Sequence, residues 1–173
     1  MKRGFYTIMS AQFFSSLADN ALFVGAVQLL RSSSAPEWQQ AALVPMFALF
    51  YVILAPFVGA FADALPKGKV MLISNTIKIV GCLMMLFGVH PLMAYAIVGL
   101  GAAAYSPAKY GILTELLPAS QLVKANGWIE GLTIASIILG VLLGGQLVGP
   151  AVSSALLSFD LPLINTGIDT APE

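Results

Sequence analysis

Five long apolar runs, parted by short polar or Pro- and Gly-bearing breaks, dominate the 173-residue chain. They extend over about Phe5–Leu30, Ala41–Ala62, Val70–Val89, Leu92–Leu117 and Gly127–Gly149. Each is close to the ~20 residues that cross a hydrocarbon layer as an α-helix. The breaks are Arg31–Gln40, Asp63–Lys69, His90–Pro91 and Pro118–Asn126. The pattern predicts an all-α integral membrane protein with five transmembrane helices. Residues 150–173 do not add a sixth: Ala151–Phe159 is too short, and Asp160, Pro162 and Gly167 interrupt the remainder.

Polar positions inside these runs are few. In the first run Gln12, Ser15, Ser16, Asp19, Asn20 and Phe23 recur at three- and four-residue steps, which draws one polar stripe along a helix. Asp19 falls near mid-membrane, where a carboxylate needs a cation, a proton or water. In the fourth run Lys109 comes two residues after Pro107. A lysine at that depth costs about 2.5–3.5 kcal/mol on insertion scales, so it should face a partner or a wet cavity. Pro107 cannot donate to the helix ladder and is expected to loosen it there. Tyr105 lies one turn from Lys109 on the same face. The bland alternatives are an Asp19 that glues helices and a Lys109 that snorkels to the interface.

Two further charges lie within spans. Lys78 is expected to snorkel outward or touch lipid phosphate. Glu130 shares a face with Asn126 and Thr133 and can reach Lys78, Lys109 or Lys124. Gly140, Gly144, Gly145 and Gly149 give two Gly-x-x-x-Gly patterns, suited to close helix packing or to gating. Gly99-Leu100-Gly101 lacks the strand and third glycine of a nucleotide fingerprint.

Composition agrees with the pattern: 58% hydrophobic, 9% charged and a mean hydropathy of +0.90, against about 25% charged in soluble domains. A net charge of zero argues against nucleic acid as a partner. One cysteine (Cys82) and one histidine (His90) cannot assemble a zinc site, and with His90 in a short turn beside Pro91 no Ser-His or Cys-His catalytic constellation appears. No cofactor and no enzymatic activity are expected. Lys2, Arg3, Lys67, Lys69 and Lys124 fall on one side of the five spans and only Arg31 on the other, which predicts a cytoplasmic N-terminus. Residues 150–173 then lie outside, and their charges are all acidic.

The run Ser106-Pro107-Ala108-Lys109-Tyr110-Gly111-Ile112-Leu113, continued by Thr-Glu-Leu-Leu-Pro, resembles the fourth transmembrane helix of bacterial lysophospholipid transporters of the major facilitator superfamily. Gly59 to Lys69 is similar to the superfamily's loop between helices two and three. Gly59, Ala62, Asp63 and Lys67 match it, while Phe61, Ala64, Pro66 and Gly68 depart. The resemblance covers residues 5 to about 149. It implies most of the N-terminal six-helix half of a facilitator fold, truncated before helix six, with residues 150–173 as a periplasmic loop. It also implies that helices one and four line a central cavity. Asp19, Asn20, Tyr105, Lys109 and Glu130 become candidate substrate-binding residues. Gly59, Asp63 and Lys67 become a latch, with Asp63 capping a helix of the missing C-terminal half.

The function so implied is inward movement or flipping of lysophosphatidylethanolamine-like lipids across the bacterial inner membrane for re-acylation. The expected partners are the lysophospholipid, membrane lipids, the C-terminal half and a lysophospholipid acyltransferase. Lys109 would attract the phosphodiester, while Asp19 would bind an amine or a coupling cation. The competing readings are a proton-coupled multidrug exporter of the same superfamily and an inactive or structural membrane fragment.

Overall fold

The computed structural model describes residues 3–150, 152 and 154. Five helices succeed one another: α1 (Arg3–Ser32), α2 (Glu37–Ala64), α3 (Lys67–Leu86), α4 (Pro91–Leu116) and α5 (Ala119–Leu147). All five are long and apolar enough to cross a membrane. The expected tail lies almost wholly outside the described residues.

Prolines set most of the helix starts. Pro36, Pro66 and Pro118 immediately precede α2, α3 and α5, and Pro91 is the first residue of α4. Proline is tolerated there because its missing N–H would lack an intrahelical partner anyway. Ahead of α4 the chain turns through Gly88, at φ +79°. His90 then accepts a hydrogen bond from the Leu92 backbone N–H on Nδ1, at 3.3 Å.

Helix α5 starts eight residues before the expected Gly127. Ser120, Gln121 and Lys124 are exposed, but Ala125 and Ile129 are buried and Leu122 and Leu132 half-buried. That three- and four-residue spacing packs the first turns of α5 onto Phe5, Met9, Leu113 and Leu117. Polar residues there mark the wet side of a helix, not a loop. Helix α4 runs unbroken through Pro107, against the expectation of a loosened turn. Neighbouring helices hold it, and a proline there removes a single ladder bond.

Helix α4 is the centre of the bundle. It packs most extensively on α3 and α2 and also touches α1 and α5, while α1 pairs with α5. Lipid tails give apolar helices little reason to associate, so close approach depends on small residues. A Cβ on Gly99 would lie 2.3 Å from the Phe47 carbonyl oxygen of α2, and one on Gly101 2.6 Å from the Ser74 carbonyl oxygen of α3. Gly140 and Gly144 seat α5 on Leu17 and Ala21 of α1, whereas Gly145 has open space. Only the first of the two glycine patterns therefore packs against another helix.

Apolar clusters close the bundle at both ends. Ala26, Leu30, Leu43, Met85, Ala94, Tyr95 and Val98 pack at one. At the other, Phe5, Met9, Leu113, Leu117, Ala125 and Ile129 form one cluster, and Ala62, Val70, Met71, Tyr105 and Ala108 a second. The polar stripe of α1 lies between these ends.

Candidate functional site

The mid-bundle residues line an open cavity of roughly 400 Å³. Its polar wall is Gln12, Ser15, Ser16, Asp19 and Asn20 of α1, facing Lys78 of α3, Tyr105, Ser106 and Lys109 of α4, and Thr133 of α5. Its apolar wall includes Phe23, Val44, Phe47, Tyr51, Tyr95 and Ile137. The α1 stripe thus faces a shared hollow, and Asp19, Asn20, Tyr105 and Lys109 are brought together around it. Glu130 is not on this wall.

The partner of Asp19 is Lys78, not Lys109. Lys78 Nζ lies 2.5 Å from Asp19 Oδ2 and donates to Ser15 Oγ at 3.0 Å. Ser15 Oγ in turn donates to Asn75 Oδ1 at 2.9 Å. The Lys78 ammonium also sits 5.1 Å from the centroid of the Tyr105 ring, within cation–π range. The expected snorkelling of Lys78 is therefore corrected. The reason is Gly101: a Cβ there would lie 2.7 Å from Lys78 Cγ. The missing side chain lets the lysine stem cross the surface of α4 toward α1. Two signals in the sequence point this way. Ser74, Asn75 and Lys78 form a polar stripe at helical spacing, and Asp19 requires a cation.

Lys109 is buried, at 8% exposure, rather than snorkelling. Its ammonium lies 3.9 Å from Glu130 Oε1 and 4.5 Å from the Tyr110 ring centroid. Glu130 accepts a hydrogen bond from the Tyr110 hydroxyl at 2.6 Å, and its side chain is 52% exposed. The carboxylate thus approaches Lys109 from outside the cavity. The Tyr105 hydroxyl is buried and, among the described residues, has no hydrogen-bond partner. Asn20 Nδ2 donates to the Ser16 carbonyl at 2.8 Å, one turn back on α1. Gln12 Nε2 donates to Thr133 Oγ1 at 3.2 Å and ties α1 to α5 across the cavity.

With both lysines charged and Asp19 ionised, the wall carries one cation more than it has carboxylates. That excess suits an anionic oxygen. The cluster of rings Phe23, Phe47, Tyr51 and Tyr95, toward the Leu30 and Leu43 end of the cavity, suits a hydrocarbon.

The α2–α3 connection sits apart from the cavity. Lys67 Nζ pairs with Asp63 Oδ1 at 2.5 Å and donates to the Ala62 carbonyl at 2.8 Å, closing the end of α2. Its stem lies over Gly111 of α4, where a Cβ would come within 3.0 Å of Lys67 Cε. The Asp63 side chain remains 80% exposed. A Cβ on Gly59 would meet open space.

The family model described as the Major Facilitator Superfamily matches residues 8–161. The chain is 49% identical over 147 residues to a protein of Yersinia enterocolitica (serotype O:8 / biotype 1B) named lysophospholipid transporter LplT. It is 48% identical over the same length to proteins of that name in Yersinia pestis (strain Pestoides F) and Yersinia pseudotuberculosis (serotype O:3). Each match takes in 85% of this chain and 36% of the relative, so the chain spans about a third of the length of these relatives. No solved structure matches it.

Proposed function

Because the chain belongs to the major facilitator superfamily, we propose that it supplies one wall of the transport path of a lysophospholipid transporter. The cargo in this reading is a lysophosphatidylethanolamine-like lipid, moved inward or flipped across the bacterial inner membrane for re-acylation. The single observation that carries it is one cavity lined both by two lysines and a carboxylate and by a cluster of rings. A lysophospholipid has a phosphate, a small polar head and one acyl chain, and each finds a counterpart. Lys109 takes the phosphate with the Tyr105 ring beside it, Asp19 and Asn20 the head group, and Phe23, Phe47 and Tyr95 the start of the chain. Glu130 tunes Lys109 from outside. A lysophospholipid acyltransferase would then consume the delivered lipid.

The rest of the path belongs to helices outside this chain, consistent with two six-helix halves enclosing a midplane site. Gly59, Asp63 and Lys67 serve as the latch in this reading. Lys67 holds the end of α2, leaving exposed Asp63 to meet a helix N-terminus of the other half, where the dipole favours a carboxylate. Lys67, Lys69 and Lys124 near one end of the bundle, with Arg31 near the other, favour a cytoplasmic N-terminus.

The test is uptake of labelled lysophosphatidylethanolamine by a chimera in which this chain replaces the matched third of the Yersinia enterocolitica relative. Lys109→Ala is expected to cut uptake by about tenfold or more while membrane insertion is unchanged. Wild-type uptake by that variant removes the site assignment. A proton-coupled drug exporter is the second reading, favoured by the buried Asp19 carboxylate. Lysolipid uptake that continues after the proton gradient is collapsed speaks against it, as does Asp19→Asn uptake insensitive to pH.

A further inference from the structure

Lys78 holds an unusual position for a membrane lysine. It bridges three helices across the cavity: its backbone is on α3, its ammonium is on Asp19 and Ser15 of α1, and its stem passes through the Gly101 notch of α4. A carboxylate already neutralised in this way offers little to an incoming ammonium unless the lysine leaves. The geometry gives it somewhere to go. The Tyr105 ring lies 5.1 Å from the ammonium, and Tyr105 is one turn from Lys109 on α4. Lys78 and Lys109 line the same cavity, and the outer bonds of a lysine stem let its ammonium move within it.

We propose that Lys78 is a specificity-determining residue, a counter-ion displaced from Asp19 by the substrate's own ammonium. This rests on the lysophospholipid reading above and deepens it. Before substrate enters, Lys78 neutralises Asp19. When a zwitterionic lysolipid enters, its ammonium takes the Asp19 carboxylate, and Lys78 swings past Tyr105 to join Lys109 on the phosphate. When the head group has no amine, Lys78 stays on Asp19, and Lys109 alone receives the phosphate. Lys78 therefore lets one cavity accept both amine-bearing and amine-free head groups without leaving a carboxylate buried and unpaired. No bond is made or broken in this exchange; one ion pair replaces another.

The experiment measures uptake of lysophosphatidylethanolamine and of lysophosphatidylglycerol by the same chimera and compares their ratio among variants. In Lys78→Met only the amine-bearing lipid can neutralise Asp19. The ratio of ethanolamine to glycerol lipid is expected to rise by roughly tenfold or more, because a buried carboxylate without a partner is strongly disfavoured. In the double variant Asp19→Asn, Lys78→Met no charge is left to pair, so the variant keeps its fold even where Lys78→Met does not. There the head-group ratio is expected to lose its dependence on the amine and approach one. An unchanged ratio in Lys78→Met, with both uptakes falling together, makes Lys78 a structural staple and overturns the proposal. So does a double variant whose ratio remains at that of the unmodified chimera where that ratio is far from one. If the unmodified chimera moves neither lipid while the parent relative does, the transporter reading itself fails and this proposal falls with it.

Discussion

On one side of the cavity Lys78 is clamped at 2.5 Å to Asp19, with Ser15 and Asn75 completing the network. On the other, Lys109 lies 3.9 Å from a carboxylate that is itself half in the open. Both are lysines within the membrane-spanning helices, so the side chain alone does not explain the difference. The neighbouring helix does. Gly101 admits the Lys78 stem between α3 and α4 and delivers the ammonium to α1. Lys109 starts on α4 itself, and its acid approaches from the rim on α5. A tightly paired buried charge is released only when another charge takes its place, because breaking it alone leaves its partner uncompensated in low dielectric. A loosely paired one keeps part of its field for a ligand.

The largest break in this comparison is Asp19→Ala. It leaves Lys78 buried without a counter-charge and is expected to cost about 3–5 kcal/mol of stability. The matching removal of Glu130 should cost about 1 kcal/mol or less, because a partly exposed pair is screened and solvated. Unfolding of the chain in mixed micelles measures both. Equal losses would mean that the two lysines are held alike.

Next comes Gly101→Ala, which tests the cause rather than the pair. The added Cβ meets the Ser74 carbonyl at 2.6 Å and Lys78 Cγ at 2.7 Å, so backbone as well as side chain must give. Overpacking of this kind costs about 1–3 kcal/mol, and here it should also draw Lys78 away from Asp19. Gly111→Ala is the control. Its Cβ meets the flexible stem of Lys67 at 3.0 Å and no backbone, so the loss should be smaller. If Gly111→Ala proves the costlier of the two, the notch is not the feature that sets Lys78 apart.

These same residues mark the reach of the sequence as a guide. The five spans are legible because apolar length is a direct requirement of the bilayer. The α1 stripe and Lys109 are legible because a polar group in an apolar run is costly enough to need a reason. The partner of Asp19 is not. Which of Lys78 and Lys109 reaches it depends on interhelical distance, and that is set by a glycine on a third helix. Gly101 reads locally as part of a failed nucleotide motif, although in a membrane helix small residues mark close contacts. The start of α5 is hidden for a related reason. The polar residues after Pro118 look like a loop, while Leu122, Ala125, Ile129 and Leu132 carry the helical spacing. Glu130 does lie within reach of Lys109 as its position predicts, but its approach from the rim comes from how α5 leans on α1. No local pattern records that.

The smallest effect sharpens the comparison most. Tyr110→Phe removes the hydroxyl that donates to Glu130 at 2.6 Å but keeps the ring under the Lys109 ammonium at 4.5 Å. Tyr110 is 42% exposed, so water can replace its hydroxyl on the carboxylate. A loosely held corner should lose only about 0.5–1 kcal/mol, and lysolipid uptake by the chimera should stay near wild type. The short bond between Tyr110 and Glu130 allows the opposite result: the hydroxyl fixes the carboxylate, and the carboxylate fixes Lys109. Stability and uptake would then fall together, and Lys109 would belong to a network as rigid as that of Lys78. Measuring the two quantities in one variant separates these cases, since a lysine already free to meet a ligand tolerates a mobile acid at its back, while one that must first be released from its carboxylate does not.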